Sequence, residues 1–269
     1  MQTTIVNLYE YFNLPKEDGA RADLTVYPVV DSRSPTIVVI PGGAYTHYGE
    51  READPVALRF FELGFNVVVL RYSLVPITFP NQLIEGCMAV AYVKERAKKL
   101  NMNDNAVVMG FSAGGHLAGS IATLNAHELV KEKLKDKNVR PDLAVLCYAV
   151  LVSDEDYVSD SIKGVSGGDK EIIELLSLDK RVSDNTPPCF IWTTFDDGGV
   201  PMENSVKFSL ALKKVKVKHQ LHVFEHGRHG LSLATKETAV EGFEKEMIIP
   251  SVAKWVDMAS DFIKNNLKE

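Results

Sequence analysis

The chain has 269 residues, 45% of them hydrophobic and 25% charged, so it is long and apolar enough for one large core. A formal net charge of −6 argues against a nucleic-acid partner, because such partners require a basic surface that displaces counterions. No stretch approaches the roughly 18 apolar residues of a membrane span, and Met1–Asn7 lacks a basic segment followed by an apolar run, so a cytoplasmic chain without a membrane partner is expected.

The first continuous apolar run, Thr36–Ile40, predicts a strand buried on both faces. It ends in Pro41-Gly42-Gly43-Ala44-Tyr45, a glycine-rich turn able to aim backbone amides at a reaction centre. No G-x-G-x-x-G or G-x-x-x-x-G-K-[ST] pattern is present there, so a phosphate or dinucleotide loop is disfavoured. Asp54-Pro55 opens a helix over Val56–Leu63 that Gly64 closes. A strand over Asn66–Leu70 and a helix from about Asn81 to Leu100 follow. The strand Ala106–Met109 runs directly into Gly110-Phe111-Ser112-Ala113-Gly114-Gly115, and a helical pattern follows from His116 through Ala122.

After a strand predicted over Leu143–Val150, residues 151–187 break the rhythm with acidic and glycine-bearing segments and a short helix near Lys170–Leu178. An excursion of that length between strands is expected to be a small lid insertion. Within it, Asp154, Glu155 and Asp156 lack the glycine and terminal glutamate of a calcium loop and read as lid surface. The strand Cys189–Thr193 leads to Thr194-Phe195-Asp196-Asp197-Gly198-Gly199, then a helix over Met202–Lys214 whose basic end, Lys213 to Lys218, reads as solvated. The last strand, Gln220–Phe224, ends in Glu225-His226-Gly227-Arg228-His229-Gly230. A linker-like stretch, 232–250, precedes a C-terminal helix over Val252–Ile263. Alternating strands and helices without an internal repeat predict a single domain, 1–269, built on a mostly parallel twisted sheet with helices on both faces.

The chemistry concentrates at loops after strands. A serine in a strained strand-to-helix turn needs glycine-small neighbours two before and two after, which Gly110 and Gly114 supply. Its hydroxyl then projects at the sheet edge, and the amide of Ala113 at the helix N-terminus can bind an oxyanion. Such a serine needs a histidine to take its proton and a carboxylate to hold that histidine's tautomer. Of the adjacent pair Asp196 and Asp197 only one can face the histidine, and both are also ordinary turn formers. His229 sits where a mobile base belongs, whereas His47, His116, His127, His219 and His222 lack such turn context. His222, His226 and His229 have no matching carboxylate set at metal-site spacing, so no metal or cofactor is expected. Cys87, Cys147 and Cys189, odd in number and among apolar neighbours, read as reduced buried thiols.

These segments, together with Asp54-Pro55-Val56-Ala57, Gly64-Phe65-Asn66, Leu70-Arg71-Tyr72-Ser73, Thr186-Pro187-Pro188, Val200-Pro201 and Glu203-Asn204-Ser205, resemble bacterial α/β-hydrolases of the acetyl esterase and carboxylesterase family, often associated with xylan or sugar esters. The resemblance spans about residues 36–233 and implies the α/β-hydrolase fold. It also implies Ser112 as nucleophile, Asp197 as the acid, His229 as the base, and Ala113 with Gly43 and Ala44 as oxyanion donors. Against the family pattern, Ala44 stands where a third glycine is usual, Ala149 where proline is usual, and Phe195 where a small residue flanks the acid.

The expected activity is hydrolysis of a small ester, of short acyl groups or acetylated sugars, with Tyr45, His47 and Phe195 lining the substrate site. An amide or formamide hydrolase or a peptidase on the same fold, and a catalytically silent ligand-binding protein, are the competing expectations. Oligomeric state is not specified by these features.

Overall fold

The computed structural model describes residues 2–153 and 157–267; the expected lid-surface residues Asp154, Glu155 and Asp156 lie outside them. Among the described residues, eight strands form one sheet: β1 (Thr4–Asn7), β2 (Asp23–Val26), β3 (Thr36–Ile40), β4 (Asn66–Arg71), β5 (Ala106–Phe111), β6 (Leu143–Cys147), β7 (Cys189–Thr194) and β8 (His219–Phe224). Their spatial order is β1-β2-β4-β3-β5-β6-β7-β8. β1–β2 and β2–β4 are antiparallel, and every other neighbouring pair is parallel.

The parallel strands β3, β5 and β6 are buried along their whole length, as their unbroken apolar runs require. Their two faces feed separate cores. The helices Asn81–Leu100, Ser112–Leu124 and Glu203–Lys214 cover one face. Asp54–Glu62 and Trp255–Asn266 cover the other. Both predicted ends of the helix at 54 hold, with Pro55 in its first turn and Gly64 at φ +90° just beyond it. Among the described residues no helix is long and apolar enough to cross a membrane.

β6 stops at Cys147 rather than Val150, because Tyr148 takes φ 38° and turns the chain out of the sheet. The stretch between β6 and β7 contains two short helices, Asp160–Val165 and Lys170–Leu175, and a 3₁₀ turn at Leu178–Arg181. The linker-like stretch 232–250 contains a one-turn helix, Glu244–Met247.

What positions the site is the order of the middle strands. From β3 the chain winds outward to β4 and then crosses to β5 on β3's other side, so the crevice outside the carboxyl ends of β3 and β5 is a topological switch point, where open α/β sheets bind ligands. The register pairs Ile40 with Gly110, so the glycine turn and the serine turn emerge side by side.

Candidate active site

Ser112 follows β5 directly, with φ 52°, and opens the helix Ser112–Leu124. A side chain in that left-handed region costs of the order of 1–3 kcal/mol, so the surroundings must enforce it. The glycines show how. A Cβ on Gly110 would lie 2.1 Å from the Gly114 carbonyl oxygen, and one on Gly114 would lie 2.3 Å from the Ile40 oxygen. Gly115 is equally committed, since its Cβ would meet that of Ala149 at 2.5 Å.

His229, in the loop after β8, places Nε2 2.8 Å from Ser112 Oγ. Its Nδ1 lies 2.9 Å from Asp197 Oδ2 and 3.1 Å from Oδ1. A buried carboxylate there is acceptor-only, so Nδ1 carries the proton and Nε2 is left to accept from the serine hydroxyl. Asp197 is fixed in turn, because its Oδ1 accepts the amides of Gly199 and Val200 at 2.8 and 2.9 Å. Gly199 has no room for a side chain: a Cβ would lie 2.7 Å from His229 Cγ.

The adjacent Asp196 points elsewhere. Its Oδ1 accepts the Gly227 amide at 2.7 Å and its Oδ2 lies 3.2 Å from His226 Nδ1. The Gly227 amide, ahead of His226, holds its carboxyl below the usual range. Asp197 thus meets the histidine, and Asp196 braces the loop that carries it.

The turn after β3 closes over the serine, with Gly42 packed so near that a Cβ there would lie 3.0 Å from Ser112 Cβ. Gly43, Ala44 and Tyr45 all have positive φ, at 117°, 54° and 61°. The tight turn is held by the amides of Thr46 and His47, which donate to the Gly43 oxygen at 2.9 and 3.1 Å. Ala44 therefore adopts the left-handed geometry at the position where the resembling family carries glycine. The amide of Ala113 lies in the first turn of the helix Ser112–Leu124, where backbone N–H groups have no intrahelical partner.

Ser112 and His229 open into a cleft of about 530 Å³, walled by Gly43, Ala44, His47, Val150, Val200 and the segment Tyr157–Ser161. His47 is one of the residues lining that cleft. Tyr45 is not. Its positive φ turns the ring inward, where it is 1% exposed, packs on Tyr72 and reaches His116 Nδ1 with its hydroxyl at 2.8 Å. Phe195 is also off the cleft: its amide continues the pairing of β7 with β8, and its ring is 67% exposed on the outside.

Two groups beside the cleft were not singled out from the sequence. Glu52, 5% exposed, accepts the Gly42 amide at 2.8 Å and the Tyr148 hydroxyl at 2.7 Å. Tyr148, buried at the end of β6, stands edge-on to His229 with ring centroids 5.2 Å apart. Burial pushes the Glu52 carboxyl up, opposed by the bonds from Tyr148 and Gly42 and by the nearby His229 and Arg51. Among the described residues no cluster of three or more His, Cys, Asp and Glu side chains is arranged to hold a metal ion. The three cysteines are free and buried, and burial pushes their thiols up.

Residues 22–212 match the model of the BD-FAE family, more than half of the chain. The chain belongs to the BD-FAE family. The matched segment carries Ser112 and Asp197 and ends before His229. This BD-FAE chain is 36% identical over 217 residues to endo-1,4-beta-xylanase B of Butyrivibrio fibrisolvens, covering 77% of the chain and 34% of that protein. It is 29% identical over 237 residues to an acetylxylan esterase of Xylanibacter ruminicola, covering 83% of the chain and 46% of that protein. The chain thus spans less than half the length of either relative. In three dimensions it is similar to the acetyl ester-xyloside bifunctional hydrolase of Caldicellulosiruptor lactoaceticus, with a TM-score of 0.83, 34% identity, and 97% and 96% of the two chains covered. The fold is that of the α/β hydrolases.

Proposed function

We propose that this BD-FAE chain is a carboxylic ester hydrolase that cleaves small esters of short acyl groups, acetylated sugars included, with Ser112 as nucleophile. The observation that carries the reading is the continuous relay from Ser112 Oγ to His229 Nε2 at 2.8 Å and from His229 Nδ1 to Asp197 Oδ2 at 2.9 Å. His229 takes the serine proton as Oγ attacks the ester carbonyl, and the carboxylate of Asp197 stabilises the imidazolium that forms. The tetrahedral oxyanion rests on the amides of Ala113, Gly43 and Ala44. His229 then returns the proton to the departing alcohol, and water, deprotonated by the same imidazole, cleaves the acyl-enzyme.

The acetyl and sugar-ester preference draws on the relatives' named activities and on the cleft, whose walls include the apolar Val150 and Val200 and the polar His47 and Asp160. The insertion after β6 supplies the Tyr157–Ser161 wall, and we assign it the role of setting which alcohol fits.

Ser112→Ala is expected to lower kcat on a nitrophenyl acetate by at least a thousandfold, since removing such a nucleophile costs up to about a millionfold. A variant retaining more than about a thousandth of the wild-type rate sinks the assignment. A panel from acetyl to octanoyl esters with acetylated xylosides should show the rate falling as the acyl chain lengthens; equal rates on octanoyl would rule out the short-acyl preference.

A further inference from the structure

The 3₁₀ turn Glu50–Glu52 sends two consecutive side chains to two different loops of the site. Arg51 donates from one guanidinium nitrogen to the Gly230 and Thr238 oxygens, each at 3.0 Å, and its own carbonyl accepts the Ser232 hydroxyl at 2.6 Å. These bonds hold the loop that follows His229. Glu52 goes the other way, beneath the turn after β3. The turn wraps its carboxylate closely: a Cβ on Gly42 or on Gly49 would come within 2.8 or 2.7 Å of Oε2.

Each Glu52 oxygen has one donor, Gly42 N–H on Oε2 and Tyr148 O–H on Oε1. The Tyr148 hydroxyl is committed on its other side, accepting the Ser232 amide at 3.0 Å. One buried carboxylate therefore ties together the glycine turn, the end of β6 and the His229 loop. Burying a carboxylate costs several kcal/mol unless its oxygens are satisfied, so an acid this enclosed calls for a reason beyond packing. An amide in its place offers one acceptor oxygen to two donors.

We propose that Glu52 is a positioning residue that keeps the glycine turn and the His229 loop in register through Gly42 and Tyr148, and that its buried negative charge supports protonated His229 during turnover. This rests on the assignment of Ser112 as nucleophile and His229 as base. The charged or titratable groups that bear on Glu52 are Tyr148, His229, Arg51, Tyr72 and Cys147; Arg51 is the permanent cation among them, and His229 becomes one when it takes the serine proton.

The test begins with a fluorophosphonate probe on the wild-type protein and on Ser112→Ala. Absence of label on folded wild type overturns the nucleophile assignment and this proposal with it. With Ser112 labelled, Glu52→Gln is expected to lower kcat on nitrophenyl acetate by about 10- to 100-fold with KM within about threefold, as loss of an oxyanion or base alignment does. The acid limb of kcat/KM should move to lower pH by about half a unit or more, because the imidazolium loses a buried anion nearby. Glu52→Asp, which keeps the charge, should leave that limb in place. A limb that does not move in Glu52→Gln, whatever the rate, overturns the proposal, since a merely structural acid would change amplitude alone. If Glu52→Gln does not fold, Tyr148→Phe decides: a kcat about tenfold lower at unchanged KM together with a displaced acid limb supports the proposal, and an unmoved limb or a kcat within twofold of wild type overturns it.

Discussion

His116 has no role at the cleft, yet it sets part of the molecule's acid tolerance. Its ring is fully enclosed, with Nδ1 accepting the Tyr45 hydroxyl at 2.8 Å and Nε2 3.2 Å from the Leu176 oxygen. Both bonds suit the neutral ring, and burial pushes the group down from 6.5 to about 4. Between those values the unfolded chain binds a proton that the folded chain refuses, so stability falls as pH drops from 6.5 and the loss is complete near 4. The expected loss is up to about 3 kcal/mol, and in His116→Gln the stability lost across that range, read by urea unfolding at each pH, should be smaller by about that amount, giving a shallower slope against pH. A slope unchanged by the substitution refutes it. At this scale the sequence is most informative where a residue type is forced. The tight turn at Ser112 was legible because only glycines fit two before and two after it. Tyr45 and Phe195 were not, because which way a side chain points after a strand depends on φ values that neighbouring residues do not announce. Glu52 was hidden for a related reason: within Glu50-Arg51-Glu52 it reads as one more solvated charge.

The element that defines the site is the β5-to-helix turn, whose Gly114 differs sharply from Gly198, in the turn after β7, in what it tolerates. A Cβ on Gly114 would press on two backbone oxygens, those of Ile40 and Pro41, at 2.3 and 2.4 Å. Neither strand end can retreat, so Gly114→Ala is expected to cost at least about 3 kcal/mol or abolish folding. Gly198 has nothing within 4 Å of such an atom and no positive φ, so Gly198→Ala should stay within about 0.5 kcal/mol of wild type. Thermal unfolding of the pair checks the contrast, and equal losses would count against the tight-turn account. Elements with a strong period were legible: the helix Asn81–Leu100 appears over the predicted residues. β1 and β2 were not, because at four residues each they are too short for alternation to stand out. The helix Glu128–Leu134 escaped similarly, as only Val130 and Leu134 of its seven residues are buried.

For the whole molecule, the doubly covered parallel sheet was legible from runs of buried strands separated by amphipathic segments. The antiparallel extension by β1 and β2 was not, because that pairing depends on β4 offering an open edge, a fact of assembly rather than of either segment. Assembly also brings together parts remote in sequence on the face opposite the Ser112–Leu124 helix. Trp192 on β7 and Trp255 in the C-terminal helix stack with centroids 5.3 Å apart and planes 23° from parallel, and the Trp255 indole N–H donates to the Ser232 oxygen at 2.9 Å. The chain has two tryptophans, and these are both of them. Two indoles this close and this nearly parallel behave as one coupled chromophore. The protein therefore carries its own optical gauge of whether the last helix is seated on the sheet. Its circular dichroism should contain an exciton couplet that disappears in Trp255→Phe while the helical signal persists. If the couplet survives that change, the two rings are not the pair that produces it. Followed during refolding, the same signal would time the docking of the final helix separately from the appearance of activity.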